Sequence, residues 1–139
     1  MSESVSIVNG SGEFLERVDV VLPIYSITKS YIAACVFAAQ INIDERISAW
    51  IDNRLVPRGD EISVRQLLNH TSGIRDYGAL PEYHEAIRSG RVWTDEQFAD
   101  VTLHAELLFK PGNQWSYSNP GYWLLSKIIQ TQCNLSFAE

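Results

Sequence analysis

The feature that most constrains the fold of this chain is a nearly continuous apolar stretch from Ile27 to Ile41. Such a stretch, apolar all round, is typical of a helix that is buried on most sides rather than of a surface helix. Its densest part, Tyr31 to Ala39, is too short to span a bilayer. We therefore expect a central helix that begins at Ser26 or within one residue of it.

The length and composition fit one globular domain. The 139 residues suffice for one compact domain and are too few for two, and 45% of them are hydrophobic. Eleven Lys and Arg against seventeen Asp and Glu leave a formal charge of −6, and the basic residues form no cluster. This balance repels phosphate backbones and anionic lipids, so we expect neither nucleic acid nor a membrane surface as a partner.

The termini, histidines and cysteines add further expectations. Residues 1–4 show no basic region leading into an apolar core, so no signal peptide is predicted and the chain as written is expected to be cytoplasmic. The histidines stand apart without metal-ligand spacing, and we expect no metal and no cofactor. Cys35 and Cys133 lie in apolar or helical contexts, which predicts two buried free thiols and leaves a single disulfide open.

The N-terminal region has the pattern of a hairpin. β-Branched residues are frequent in 5–8 and again in 14–22, and the Asn-Gly-Ser-Gly sequence at 9–12 supplies the turn. We expect two antiparallel strands within residues 1–25, and a helical lobe over 26–139, together making one partial domain.

Capping and turn signals place the later helices. Residues 47–55 repeat apolar side chains at helical spacing. Capping boxes at Ser63 and Thr94 predict two helices, the first ended by Gly73 and the second reaching about Leu108. Residues 110–113 form a turn, and Asn119 is predicted to cap the final helix, with Pro120 as its first residue.

Ser26 and Lys29 could form a reactive pair. Their spacing at the start of a helix puts a hydroxyl and an amine on one face, close enough to share a proton. A serine hydroxyl needs a base, and lysine qualifies when burial and the positive end of a helix favour its neutral form. The alternative is a serine that caps the helix beside a solvated lysine.

Tyr117 and Asn119 are a second candidate pair. A phenol near a serine and a lysine can relay a proton, and a carboxamide can bind a substrate amide. The structural alternative is that Asn119 only caps the last helix and Tyr117 is an ordinary packed aromatic residue.

Three segments in order resemble the beta-lactamase-related serine hydrolases, which include class C beta-lactamases, D-alanyl-D-alanine carboxypeptidases, D-aminopeptidases and esterases. They are Pro-Ile-Tyr-Ser-Ile-Thr-Lys-Ser at 23–30, Ile-Ser-Val-Arg-Gln-Leu-Leu-Asn-His-Thr-Ser-Gly-Ile at 62–74, and Trp-Ser-Tyr-Ser-Asn-Pro-Gly-Tyr at 115–122 with Phe-Lys-Pro-Gly at 109–112. The resemblance covers residues from Leu22 onward and implies an α+β fold of the beta-lactamase/transpeptidase type.

The resemblance also implies roles for particular residues. Ser26 would be the nucleophile that forms an acyl-enzyme, and its backbone N–H one oxyanion donor. Lys29 would accept or stabilise the serine proton, and Tyr117 would be the second proton-handling group. Asn119 would bind the amide of a small-molecule or peptide substrate, whereas His70 would be structural and bond the loop after its helix.

One part of the family pattern is missing. Its third motif, Lys-Ser/Thr-Gly or His-X-Gly on an edge strand, does not occur in residues 120–139. We therefore expect the C-terminal sheet strands to be absent from this chain. Two hypotheses remain. The chain is a serine hydrolase acting on D-amino-acid peptides, beta-lactams or small esters, or it is an incomplete remnant or split half that binds a complementary C-terminal chain.

Overall fold

A computed structural model describes residues 7–16, 23–78 and 80–136. Its first elements are two antiparallel strands, β1 at Ile7–Val8 and β2 at Phe14–Glu16. Asn9 holds the turn between them, because its side-chain Oδ1 accepts hydrogen bonds from the backbone N–H groups of Ser11 and Glu13. The remaining residues of the two predicted strands, 5–6 and 17–22, lie outside the described residues.

Helices are the main regular elements after β2. The α-helices of the described ranges are α1 at Thr28–Ala38, α2 at Val64–Leu68, α3 at Pro81–Arg88, α4 at Asp95–Thr102 and α5 at Asn119–Cys133. Single 3-10 turns occur at Tyr25–Ile27 and Ile47–Ala49. None of these helices is long and apolar enough to cross a membrane.

The hydrophobic core lies around α5, which packs against both α1 and α2. Leu124, Leu125 and Ile128 of α5 are completely buried, and they belong to one cluster with Val36 of α1 and Leu67 of α2. This packing brings the first turns of α1 and α5 close together, and these turns carry Lys29 and Asn119.

Helix α1 is much less buried than its apolar sequence predicts. Only Ile32 and Val36 are buried, whereas Tyr31 is 64% and Phe37 60% exposed. The prediction of a helix buried on most sides is therefore wrong for the described residues, because α5 covers one face and the opposite face is open. The predicted burial of the cysteines is wrong for a related reason: Cys35 lies on the open part of α1, and both thiols are free and exposed.

The predicted helix starts are more accurate than the predicted ends. Ser63 and Thr94 both form reciprocal capping boxes, which confirms these two helix starts. Helix α4 ends at Thr102 rather than near Leu108. Helix α2 ends at Leu68, so Gly73 does not end it, and residues 47–55 form only a 3-10 turn followed by irregular turns. That residues 1–139 form one partial domain remains a prediction.

Candidate active site

Ser26 lies in the 3-10 turn that leads directly into α1. The α-helix proper begins at Thr28, so Ser26 stands one residue further from its start than predicted. The residue before it, Tyr25, has a φ of 46°, in the left-handed region that non-glycine residues seldom adopt. This turn leaves the Ser26 side chain exposed at the end of the helix, where a substrate could reach it.

Lys29 connects three groups of the candidate site. Its Nζ atom donates to Asn119 Oδ1 at 2.6 Å and lies 3.4 Å from Ser26 Oγ. The same amine stands over the ring of Tyr117, 4.9 Å from the ring centre. Lys29 thus places one positive charge beside a hydroxyl, a carboxamide and a phenol.

Tyr117 has the shortest contact with the serine. Its hydroxyl lies 2.8 Å from Ser26 Oγ, within hydrogen-bond distance. Burial raises the pKa of the Tyr117 phenol, but the hydrogen-bonding and charge of Lys29 together with the Ser26 hydroxyl outweigh it, leaving this pKa below its ordinary value. A phenol with a lowered pKa is better able to lose and take up a proton near neutral pH.

Asn119 does not cap the last helix, contrary to prediction. The N-cap residue is Ser118, whose Oγ accepts from the backbone N–H of Gly121, and Asn119 is the first helical residue. Because Ser118 serves as the cap, the carboxamide of Asn119 is available for Lys29. The structure therefore brings Ser26, Lys29, Tyr117 and Asn119 together.

Two side chains from the loop after α2 hold the Tyr117 segment in place. His70 accepts a hydrogen bond at Nδ1 from the backbone N–H of Ser118 at 3.2 Å, and its ring lies 4.7 Å from that of Tyr117. Asp76 Oδ1 accepts from the backbone N–H of Asn119 at 2.7 Å. His70 therefore bonds the tyrosine segment rather than its own loop. The role of Asp76 was not predicted, since Asp76 before Gly78 signals only a local turn.

Backbone contacts extend this support along the same loop. The carbonyl oxygens of His70, Thr71 and Gly73 accept hydrogen bonds from Ser116, Gly112 and Leu108, respectively, at 2.8–3.0 Å. The loop at 70–76 thus fixes the course of residues 108–119, and with it the positions of Tyr117 and Asn119.

The bond between His70 and Ser118 predicts a pH dependence of stability. Burial and the charge of Lys29 lower the pKa of His70, although Asp76 raises it somewhat. Because Nδ1 must accept a proton-donating N–H, the folded state requires neutral His70. This hydrogen bond should contribute fully to the free energy of unfolding above pH 6.5, the ordinary pKa of histidine. The contribution should be lost as pH falls through the lowered pKa of His70.

We expect wild type to lose stability between pH 7 and 5, by at most about 1.4 kcal/mol per pH unit, relative to His70→Asn. Asparagine tolerates the left-handed backbone of this position, where φ is 60°. Urea unfolding at both pH values would measure the difference. Equal losses in the two proteins, or a His70 ring that titrates by NMR at 6.5 or above, would contradict this assignment.

The arrangement has the chemical parts of nucleophilic catalysis: a hydroxyl, a phenol that can exchange its proton, and a cation next to both. Within residues 7–16, 23–78 and 80–136, no three His, Cys, Asp or Glu side chains gather so that they could hold a metal ion.

The comparison with known proteins agrees with the resemblance seen in the motifs. The profile of the Beta-lactamase family matches residues 11–138. The chain belongs to the Beta-lactamase family. This confirms its assignment to the beta-lactamase-related serine hydrolases.

Two bacterial proteins of this family are similar in sequence to part of the chain. A D-aminopeptidase of Gluconobacter oxydans is 34% identical over 116 residues, which are 82% of this chain and 22% of that protein. Penicillin-binding protein 4* of Bacillus subtilis is 34% identical over 80 residues, 56% of this chain and 17% of the relative. The chain thus spans about a fifth of the length of these Beta-lactamase family relatives.

Solved structures show the fold of this Beta-lactamase family chain. A D-stereospecific amidohydrolase from Streptomyces sp. superimposes with a TM-score of 0.72 at 31% identity, covering 80% of this chain and 37% of that one. The octameric penicillin-binding protein homologue from Pyrococcus abyssi gives a TM-score of 0.60 at 28% identity, covering 80% and 27%. The fold is therefore of the beta-lactamase/transpeptidase type.

Proposed function

We propose that this chain carries the nucleophile and proton-transfer groups of a serine hydrolase that forms an acyl-enzyme. The observation that supports this most directly is that Ser26 Oγ lies 2.8 Å from the Tyr117 hydroxyl and 3.4 Å from Lys29 Nζ. A serine that only capped a helix would not need a phenol and an amine at its oxygen.

The distances favour Tyr117 as the group that takes the serine proton. In the proposed step, Ser26 Oγ attacks the carbonyl carbon of the substrate while its proton moves to the Tyr117 phenolate. The Lys29 ammonium stabilises that phenolate beforehand, consistent with the lowered pKa of the Tyr117 phenol. The tetrahedral intermediate then expels the leaving group, which receives the proton from Tyr117. Water repeats the sequence on the ester and frees Ser26.

Asn119 is proposed as the group that binds the substrate amide. Its Oδ1 is occupied by Lys29 at 2.6 Å, and this contact orients the side-chain NH₂ as a donor for a carbonyl oxygen of the substrate. The names of the relatives, a D-aminopeptidase and a D-stereospecific amidohydrolase, support D-amino-acid peptides and amides as substrates. Beta-lactams and small esters remain within the proposed class.

The proposal is tested by following acyl-enzyme formation with a chromogenic cephalosporin and with a D-alanyl p-nitroanilide. We expect a burst of chromophore of about one equivalent per chain, with steady turnover for the better substrate. Ser26→Ala should show no burst, whereas Ser30→Ala, on the exposed surface of α1, should behave like wild type. A burst that persists in Ser26→Ala would refute the assignment of the nucleophile.

A second candidate function is suggested by the open side of α1. Ile27, Tyr31, Ala34 and Ala38 are spaced along one helix face, here called the α1 outer face, and all four are exposed. Ile27 is 62% and Tyr31 64% exposed. Soluble proteins seldom leave such an apolar strip uncovered. The chain spans 37% or less of the solved chains described above. In this alternative, a polypeptide carrying the remainder of the fold covers the α1 outer face, and this chain acts only with it.

This alternative predicts that the remainder of the fold, supplied as a separate polypeptide, increases acylation of Ser26. Tyr31→Lys should prevent that increase without changing the circular dichroism of the free chain, since Tyr31 contributes little to its core. Acylation that is equally fast with and without the added polypeptide, and in Tyr31→Lys, would exclude a split enzyme.

A further inference from the structure

An aromatic wall stands next to the candidate active site. Its members come from the loop after α2, from α3, from the segment before α4, from α4 and from α5, and they are Tyr77, Tyr83, Trp93, Phe98 and Trp123. Neighbouring rings lie 4.7–6.5 Å apart between centroids, from Tyr77 to Tyr83 and onward to Trp123. All five side chains are only half-buried. The cluster therefore keeps apolar ring surface open instead of closing into a core.

The open ring surface lines a cleft of about 590 Å³. Lys29 and Asn119 line the same cleft, and Lys29 Nζ lies 3.4 Å from Ser26 Oγ. The side chain of Lys29 therefore connects the cleft to the proposed nucleophile. Its volume is in the range of clefts that hold small organic groups.

The charges of the cleft restrict what it can hold. Its charged lining residues are Lys29 and Lys127, and no carboxylate lines it within the described residues. The Lys127 amine already forms an ion pair with Asp95 at 2.7 Å, and it lies 4.9 Å from the ring centre of Trp123. A free ammonium group would meet like charge here, whereas a neutral aromatic ring would meet ring faces and edges.

We propose that this cleft binds an aromatic side chain on the acyl part of the substrate, a specificity that rests on the proposed function of Ser26. Trp93 is the best residue to test, because it lies outside the helices and its ring meets both Tyr83 and Phe98.

The experiment compares benzylpenicillin with 6-acetamidopenicillanic acid, which lacks only the phenyl ring of the side chain. Intact-mass spectrometry gives the rate constant of adduct formation on Ser26 for each. We expect the phenyl compound to react about tenfold faster in wild type, since burial of a ring adds apolar contact. In Trp93→Ala this ratio should fall toward one, while Val92→Ala, whose side chain is 88% exposed and outside the cleft, should keep it.

The outcomes separate the cleft from the catalytic proposal. Equal rates for the two compounds in wild type, or a ratio that survives Trp93→Ala in a folded protein, would overturn the aromatic subsite and leave the nucleophile assignment intact. If neither compound reacts, phenylacetamide and acetamide are titrated against the fluorescence of Trp93 and Trp123. A change with phenylacetamide alone that Tyr83→Ala abolishes would support the cleft without catalysis, since Tyr83 lines the cleft and this variant keeps both reporting tryptophans, and no change would overturn it.

Discussion

Lys29→Ala is expected to slow acylation of Ser26 by about a thousandfold, the middle of the range for loss of a group that assists proton transfer. The substitution removes the cation next to Tyr117 and the donor to Asn119 in a single step. Without this charge the pKa of Tyr117 should rise, because Lys29 is among the causes that lower it. A higher pKa leaves less of the phenolate that would accept the proton of Ser26. Stopped-flow absorbance with a chromogenic cephalosporin would measure the loss.

Two further variants define what Lys29 does. Lys110→Ala removes an exposed lysine far from Ser26 in the chain and should react like wild type. Lys29→Arg keeps the charge but cannot deprotonate, so it should retain part of the rate if Lys29 acts as a cation. Loss as complete as in Lys29→Ala would instead make Lys29 the base, and wild-type rates in Lys29→Ala would remove it from the mechanism.

Gly73→Ala is expected to destabilise the chain by about 2–4 kcal/mol. Gly73 has a φ of 81°, and a Cβ atom there would overlap severely with the carbonyl oxygen of Phe109. The backbone carbonyl of Gly73 also accepts a hydrogen bond from the backbone N–H of Leu108 at 2.8 Å. Neither segment can therefore move away without losing this bond. Chemical denaturation followed by circular dichroism would measure the change in the free energy of unfolding.

The chain offers a matched control for this substitution. Gly90 has a φ of 65°, and a Cβ atom added there would meet nothing within 4 Å, so Gly90→Ala carries the backbone cost alone. We expect about 1 kcal/mol there. Because the Gly73 loop also positions residues 108–119, the surviving folded fraction of Gly73→Ala should acylate more slowly as well. Equal destabilisation by the two substitutions would show that the loop relaxes around the new methyl group.

The parts of the structure that sequence could predict depend on near neighbours along the chain. Ser63 and Thr94 cap their helices through residues three positions away, and these contacts form wherever the local backbone allows. The Ser26 and Lys29 pair is local in the same sense. Helix α3 was not predicted, although Pro81 at its start and Arg88 in its last turn are recognisable end signals.

Long-range contacts decided the features that sequence did not predict. Helix α4 ends early, and the chain then returns so that Leu108 can bond Gly73. Asp76 reaches the backbone of Asn119 across 43 positions, and no pattern within either segment signals this bond. The exposure of Tyr31 likewise depends on what lies opposite α1, which the apolar composition of the helix cannot specify. Tyr117 and Asn119 were candidates from their chemistry, but their own segment also allowed a purely structural interpretation, and the family resemblance decided between the two.

The most direct test of the central claim is to locate a covalent adduct. The chain is incubated with a fluorophosphonate, and its intact mass and proteolytic peptides are then analysed. We predict one adduct per chain, carried by Ser26, that is strongly reduced in Lys29→Ala and in Tyr117→Phe. An unmodified wild-type chain that is folded by circular dichroism, or an adduct on any other serine, would contradict the claim that Ser26 is an activated nucleophile.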